Sequence, residues 1–106
     1  MTLFIPLMLL AAAFLEVGGD AVIRLGLRGS RPALVVFGMV LLALYGVAVN
    51  QVRWDFGRLL GVYVAVFAAV SVLAGRLVFG EHAPLSTWLG LALILTGGAV
   101  LQFGPR

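Results

Sequence analysis

The chain has no cysteine and no lysine, a single histidine and only four acidic residues among its 106 residues. The absence of cysteine excludes disulfides, thiolate chemistry and cysteine-ligated metals. One histidine with scattered acids is also too few ligands for a dedicated metal site. Any chemistry must therefore use carboxylates, and we expect a protein that has no metal, no cofactor and no enzymatic activity.

Hydrophobic residues make up 63% of the chain and charged residues only 10%. Apolar runs of about 20 residues match a hydrocarbon core of about 30 Å. Four such runs occur, at about 3–23, 32–52, 59–79 and 85–103. They use most of the chain, so the connections are short and consecutive helices must run antiparallel. The sequence predicts an all-α membrane protein in which residues 1–106 form a single four-helix transmembrane domain.

The positive charge of the chain falls at the ends of the predicted helices, where arginine meets lipid headgroups. We therefore expect a lipid bilayer, and no nucleic acid, as its surroundings. Four arginines lie on one side: Arg24, Arg28, Arg31 and Arg76. The other side has about as many positive groups: Arg53, Arg58, Arg106 and the amino terminus. So little bias allows insertion in both orientations, and it favours an antiparallel pair of chains.

Glu16 lies near the middle of the first apolar run, where water cannot solvate a carboxylate. Such a residue is expected to face a partner helix, a cation, a proton or a wet cavity. Glu16, Asp20 and Arg24 are spaced four residues apart and share one helix face. Desolvation favours a protonated carboxyl group, and the same group can hold an organic cation only after the proton leaves. This competition is what an antiporter requires.

The third apolar run has a stripe of larger side chains that is a candidate for the same site. Leu60, Tyr63 and Phe67 lie on one face, and an aromatic ring there could stack on a cation held by Glu16. The hydroxyl of Tyr63 needs a partner when it is buried, and a carboxylate is a natural one. Tyr45 in the second run is interpreted as packing between helices, without a role in the chemistry.

Three motifs, in order along the chain, resemble those of the small multidrug resistance transporters of the drug/metabolite transporter superfamily. The first is Glu16-Val17-Gly18-Gly19 followed by Arg24, and the second runs from Gly57 through Phe79-Gly80-Glu81, ending in an aromatic-Gly-acidic loop. The third is Gly90-Leu91-Ala92-Leu93-Ile94 followed by Gly97. The resemblance covers almost the whole chain, and the order and spacing of the motifs carry it.

The resemblance implies an antiparallel, dual-topology homodimer in the inner membrane, in which two first-helix glutamates share a chamber. Protons and cationic substrates compete there, and the third helix supplies aromatic residues at positions that align with Leu60 and Tyr63. The fourth helix pairs the subunits in that family. This would place a set of four residues at the dimer contact: Gly90, Leu93, Ile94 and Gly97.

The chain departs from the typical transporters in its third helix. Leu60 and Tyr63 stand where Tyr and Trp are usual, and Ala65 and Phe67 replace a Gly-x-Gly break. These changes argue against polyaromatic drugs and against the guanidinium-exporter subtype. Four features make the chain more similar to the YnfA-type branch: Gly57-Arg58, Tyr63, Arg76 and Trp88-x-Gly90.

We therefore predict a proton-coupled antiporter that exports small organic cations, with Glu16 binding proton and substrate in turn. One alternative is a flippase, or a flippase subunit, for a lipid-linked carrier. Its phosphate would bind to one of four arginines: Arg24, Arg28, Arg31 or Arg58. The other alternative is a non-transporting accessory membrane subunit, in which Glu16 pairs with an arginine of a partner protein.

Overall fold

A computed structural model describes residues 4–105, and these residues form four α-helices. The helices are α1 (Phe4–Arg28), α2 (Pro32–Val49), α3 (Phe56–Leu77) and α4 (Leu85–Phe103). Each is long and apolar enough to cross a membrane. The predicted all-α fold with four membrane-spanning helices is confirmed, whereas the antiparallel homodimer stays a prediction. Leu3, the predicted start of the first helix, and Arg106, used in the charge comparison, lie outside the described residues.

The helix ends differ from the predicted ones for local reasons. α1 continues five residues beyond 23, because apolar residues alternate with the arginines until Gly29 and Ser30. α2 begins at the predicted Pro32, a residue suited to the first turn of a helix. It ends at Val49, three residues early, because the Asn50 side chain donates to the carbonyl of Gly46 at 2.8 Å. α3 begins three residues before the predicted 59 and ends two before 79, whereas α4 has the predicted bounds.

The chain divides into two compact units, Met1–Arg53 and Trp54–Arg106. In the described residues the first unit contains α1 and α2, here called the first hairpin, and the second contains α3 and α4, the second hairpin. Each hairpin reverses through a residue of left-handed conformation, Ser30 (φ 54°) in the first and Gly80 (φ 63°) in the second. The prediction of a single four-helix domain stays a prediction.

Glycine lets the two helices of the first hairpin approach to backbone contact. A Cβ atom at Gly38 would lie 2.5 Å from Cγ1 of Ile23 and 2.7 Å from the carbonyl oxygen of Gly19. A Cβ atom at Gly19 would in turn lie 2.9 Å from the carbonyl oxygen of Gly38. Only residues without a side chain fit here, and small residues are the usual means by which membrane helices pack closely.

The second hairpin packs through side chains instead. The space beside Gly61 is filled by a methyl group of Leu101, and the space beside Gly98 is filled by the Cβ atom of Ala65. Large apolar side chains on the outer faces remain exposed, as in Leu77 (82%) and Leu93 (75%). Exposed apolar surface of this extent suits contact with lipid tails.

Candidate functional site

Glu16 is the central residue of α1, twelve residues from Phe4 and twelve from Arg28. At 1.5 Å per residue, its backbone is about 18 Å from either end of the helix. The residue is half-buried, and Asp20, one helical turn further on, is exposed. A carboxylate at this depth is far from both ends of a membrane-spanning segment, and it is retained when it serves a function. The structure thus places Glu16 and Asp20 on one face, as the sequence predicts.

The packing of the first hairpin decides which residues of α2 lie near this acidic face. Gly19 lies about one turn from Glu16, on the strip of the helix surface beside the acidic face, and it contacts Gly38 of α2. Because the backbones touch at this pair, side chains of α2 beyond Gly38 are brought close to the acids. The glycine contact therefore positions the site.

Tyr45 of α2 is the residue that this packing brings to the acids. It is half-buried, and its hydroxyl lies within electrostatic range of both Glu16 and Asp20. A tyrosine hydroxyl can donate a hydrogen bond to a carboxylate or accept one from a cationic ligand. The arrangement of two carboxylates and one hydroxyl can hold either a proton or an organic cation.

The interpretation of Tyr45 as a packing residue was incomplete. Sequence reasoning gave Tyr63 a hydroxyl that needs a partner, and the same argument applies to Tyr45, which lies in an equally apolar run. The signal was present, but α2 is apolar on all sides, so its sequence does not show which face turns towards α1. The structure resolves that rotation.

The predicted residues of the third helix belong to the second unit. Tyr63 is buried, with 3% of its surface exposed, and its ring centroid lies 6.3 Å from that of Phe67. Leu60 is half-buried on the same helix. Tyr63 and Phe67 thus form one aromatic pair within α3. The participation of Leu60, Tyr63 and Phe67 in cation binding stays a prediction.

The predicted dimer contact on α4 lies on an open face of that helix. A Cβ atom at Gly90 or Gly97 would meet no heavy atom within 4 Å. Leu93 and Ile94 are 75% and 41% exposed. Among the described residues nothing covers this face, and its pairing with a second subunit stays a prediction.

Arg58 makes contacts that the sequence does not suggest. Its guanidinium lies 3.9 Å above the centre of the Trp54 ring, and Nη2 donates to Oε1 of Gln102 at 2.9 Å. Its Nε is buried and has no hydrogen-bond partner among the described residues. Gln102 lies 44 residues further along the chain, near the end of α4. The hydrogen bond from Arg58 therefore joins the start of α3 to the end of α4. A phosphate role for Arg58 would have to compete with these contacts.

Comparison with known proteins covers the whole described fold. The sequence profile of the family described as "Uncharacterised BCR, YnfA/UPF0060 family" matches residues 2–106. A UPF0060 membrane protein of Halalkalibacterium halodurans is 38% identical over 99 residues, which is 92% of each chain. The UPF0060 membrane protein YfjF of Bacillus subtilis is 36% identical over 108 residues, covering 100% of this chain and 99% of its own. A UPF0060 membrane protein of Pseudomonas aeruginosa is 34% identical over 97 residues, covering 90% of this chain and 89% of its own. No solved structure gives a significant match.

Proposed function

The chain belongs to the YnfA/UPF0060 family of small membrane proteins, and from this premise we propose that it is a proton-coupled antiporter that exports small organic cations. One observation carries the proposal. The central residue of α1 is a half-buried carboxylate, Glu16, with Asp20 one turn away and the Tyr45 hydroxyl within electrostatic range. A protein that only anchors itself in a membrane has no use for such a group.

The proposed mechanism rests on competition for Glu16. The ionised carboxylate attracts an organic cation, and protonation removes that attraction, so the site holds one ligand or the other. Tyr45 donates its hydroxyl hydrogen to the ionised carboxylate and keeps it oriented towards the cation. Asp20, which is exposed, supplies a second negative charge that attracts cations towards the site.

The proposed assembly is an antiparallel homodimer in the inner membrane, in which each subunit contributes one Glu16. The open face of α4, with its exposed Leu93 and Ile94, supports a subunit contact there. Leu60, Tyr63 and Phe67 are proposed to line the cation site as apolar and aromatic surface. Two subunits that exchange conformations would then expose the site to each side of the membrane in turn.

The experiment that tests the proposal measures transport current from proteoliposomes under an imposed proton gradient. A panel of quaternary ammonium, guanidinium-like and polyamine cations is applied to the wild type and to Glu16→Gln. We expect at least one cation to give a current with wild type and none with Glu16→Gln, because glutamine holds neither a proton nor a cation. Loss of about 100-fold or more would correspond to removal of an essential group.

The matched control is Asp55→Asn, the same loss of a carboxylate at an exposed residue just before α3, where the side chain makes no capping hydrogen bond. This variant should retain the wild-type current. Uphill cation movement driven by protons in Glu16→Gln would refute the proposal. Silence of well-folded wild type across the whole panel would instead support the flippase or accessory-subunit alternative.

A further inference from the structure

A small polar cavity lies where α3 ends and α4 begins. All of its lining residues belong to the second unit, whereas Glu16 belongs to the first. Its volume is about 180 Å³. This is the volume of about six water molecules in the liquid, so the cavity admits a group of moderate size. Its charged and hydroxyl-bearing lining residues are Ser71, Arg76, Glu81, His82 and Thr87.

The connection between the helices brings opposite charges to this cavity. Gly80 adopts the left-handed conformation, and the backbone N–H of Glu81 donates to the carbonyl of Gly75 at 2.9 Å. The Glu81 carboxylate therefore folds back over Gly75, where a Cβ atom would lie 2.5 Å from Oε1. Arg76 follows Gly75 directly, so a cation and an anion line the same small space.

The two opposite charges are not in direct contact. In residues 4–105 no hydrogen bond or ion pair joins the side chains of Arg76, Glu81 and His82. The Arg76 guanidinium instead lies 5.9 Å from the centre of the Trp88 ring. Both charges thus remain available to a ligand that carries one group of each sign.

The cavity is formed at the end of one membrane-spanning helix and the start of the next, where lipid headgroups are expected. Trp88, a residue typical of the membrane interface, lies beside Arg76 of its lining. Large apolar side chains next to the lining residues along the chain are exposed: Leu77 (82%), Val78 (64%) and Leu85 (71%). A polar cavity with an apolar surround of this kind matches a lipid headgroup followed by its acyl chains.

We propose that this cavity binds the headgroup of an aminophospholipid, such as phosphatidylethanolamine. Arg76 binds the phosphate through its guanidinium N–H groups, with Thr87 as a hydroxyl donor, and Glu81 accepts hydrogen bonds from the ammonium group. A purely anionic headgroup would be repelled by Glu81, and a simple organic cation would be repelled by Arg76. A choline headgroup has the charges but no N–H to donate to Glu81. The site does not depend on the chemistry of Glu16.

The test uses the purified full-length protein in detergent with an equimolar mixture of phosphatidylethanolamine, phosphatidylcholine and phosphatidylglycerol. Native mass spectrometry measures the lipids retained on the wild type, Arg76→Gln and Glu81→Gln. We expect the wild type to retain phosphatidylethanolamine preferentially by about tenfold, the effect of one charge-assisted hydrogen bond. Both variants should lose this preference. The control Arg53→Gln removes an exposed arginine in the connection between α2 and α3 and should keep the preference.

Equal retention of the three lipids by the wild type would overturn the proposal, and so would an unchanged preference for phosphatidylethanolamine in both variants. Loss of all phospholipid in Arg76→Gln with no change in Glu81→Gln would show a simple anion site.

A competition experiment with glycerophosphoethanolamine distinguishes a lipid headgroup from the same group in a soluble compound. Displacement of bound lipid by this soluble compound supports the headgroup site, whereas its binding to a protein that retains no lipid would contradict a lipid ligand.

Discussion

Among the described residues, only the first hairpin has acidic side chains near the middle of a helix. In the first hairpin Glu16 is the central residue of α1, and Asp20 is one turn away. In the second hairpin Arg58 and Arg76 lie in the first and last turns of α3. A charge at a helix end reaches headgroups and water, whereas a charge at mid-helix must be held by protein or ligand. The comparison separates charges that anchor a helix from the one that we propose to bind proton and cation.

The hairpins also differ in how closely their helices approach. Gly19 and Gly38 bring the backbones of α1 and α2 into contact, whereas Leu101 and Ala65 fill the spaces between α3 and α4. The Leu101 side chain can change its rotamer to make room for an added atom, whereas a backbone carbonyl, like the Cβ atom of Ala65, moves only with its helix. The Gly19–Gly38 contact is therefore less adaptable than the contact between Gly61 and Leu101.

The largest effect is expected for Gly38→Ala. The added Cβ atom would lie 2.5 Å from Ile23 and 2.7 Å from the Gly19 carbonyl oxygen, so α1 and α2 must separate. We expect a loss of about 1–3 kcal/mol in the free energy of unfolding, as for other overpacked sites. Denaturation of the detergent-solubilised protein, followed by circular dichroism, measures it.

Two alanine variants sharpen this comparison. Gly61→Ala meets the end of the Leu101 side chain, which can change its rotamer, so its cost should be clearly smaller. Gly46→Ala on the same helix as Gly38 meets no heavy atom within 4 Å and should cost nothing. Equal losses in Gly38→Ala and Gly61→Ala would remove the contrast between the hairpins.

A smaller effect on stability is expected for Arg58→Lys. Lysine keeps the charge but lacks the planar guanidinium that both stacks on Trp54 and donates to Gln102. We expect the free energy of unfolding to fall by about 1 kcal/mol. The same denaturation experiment measures it, with Arg28→Lys at an exposed helix end as the control. If both variants lose the same amount, the contacts of Arg58 add nothing to a charge at the interface.

The smallest effect is expected for Tyr45→Phe, which removes only a hydroxyl group near Glu16 and Asp20. A neutral hydrogen bond contributes about 0.5–1.5 kcal/mol, so cation affinity should fall by about threefold to tenfold. Titration of the transport current with cation concentration measures the change. The hydroxyl of Thr96 donates to the carbonyl of Ala92 in its own helix at 2.7 Å. Thr96→Val is therefore the matched removal of a hydroxyl in the second hairpin. Unchanged affinity in Tyr45→Phe would remove Tyr45 from the site.

The sequence predicts the four spans and the mid-helix position of Glu16 well, because length and apolar composition determine which segments enter a bilayer. It places the end of α1 five residues early, because Arg24 and Arg28 are compatible with a helix that extends beyond the apolar run. Long arginine side chains reach the interface from such positions. The end of α2 depends instead on local capping, since the Asn50 side chain donates to the Gly46 carbonyl.

The contacts between helices could not be predicted in the same way. Tyr45 faces the acids because of the rotation of α2, and a helix that is apolar on all sides has no sequence pattern that fixes its rotation. Arg58 and Gln102 meet across 44 residues, a distance along the chain at which no periodicity connects two side chains. Both features follow from tertiary packing, which the glycine positions suggest but do not determine.

The short reversal between α1 and α2 has a consequence for depth in the membrane. Arg28 ends α1 and Pro32 begins α2, with Ser30 in the left-handed conformation between them. Counted back from Arg28, Glu16 lies about 18 Å along its helix, and counted forward from Pro32, Tyr45 lies about 20 Å along the other. The two side chains are level because the turn is short. A longer connection could move them out of level while leaving both residues unchanged, so the geometry of the site depends on the length of this turn as well as on the acid itself.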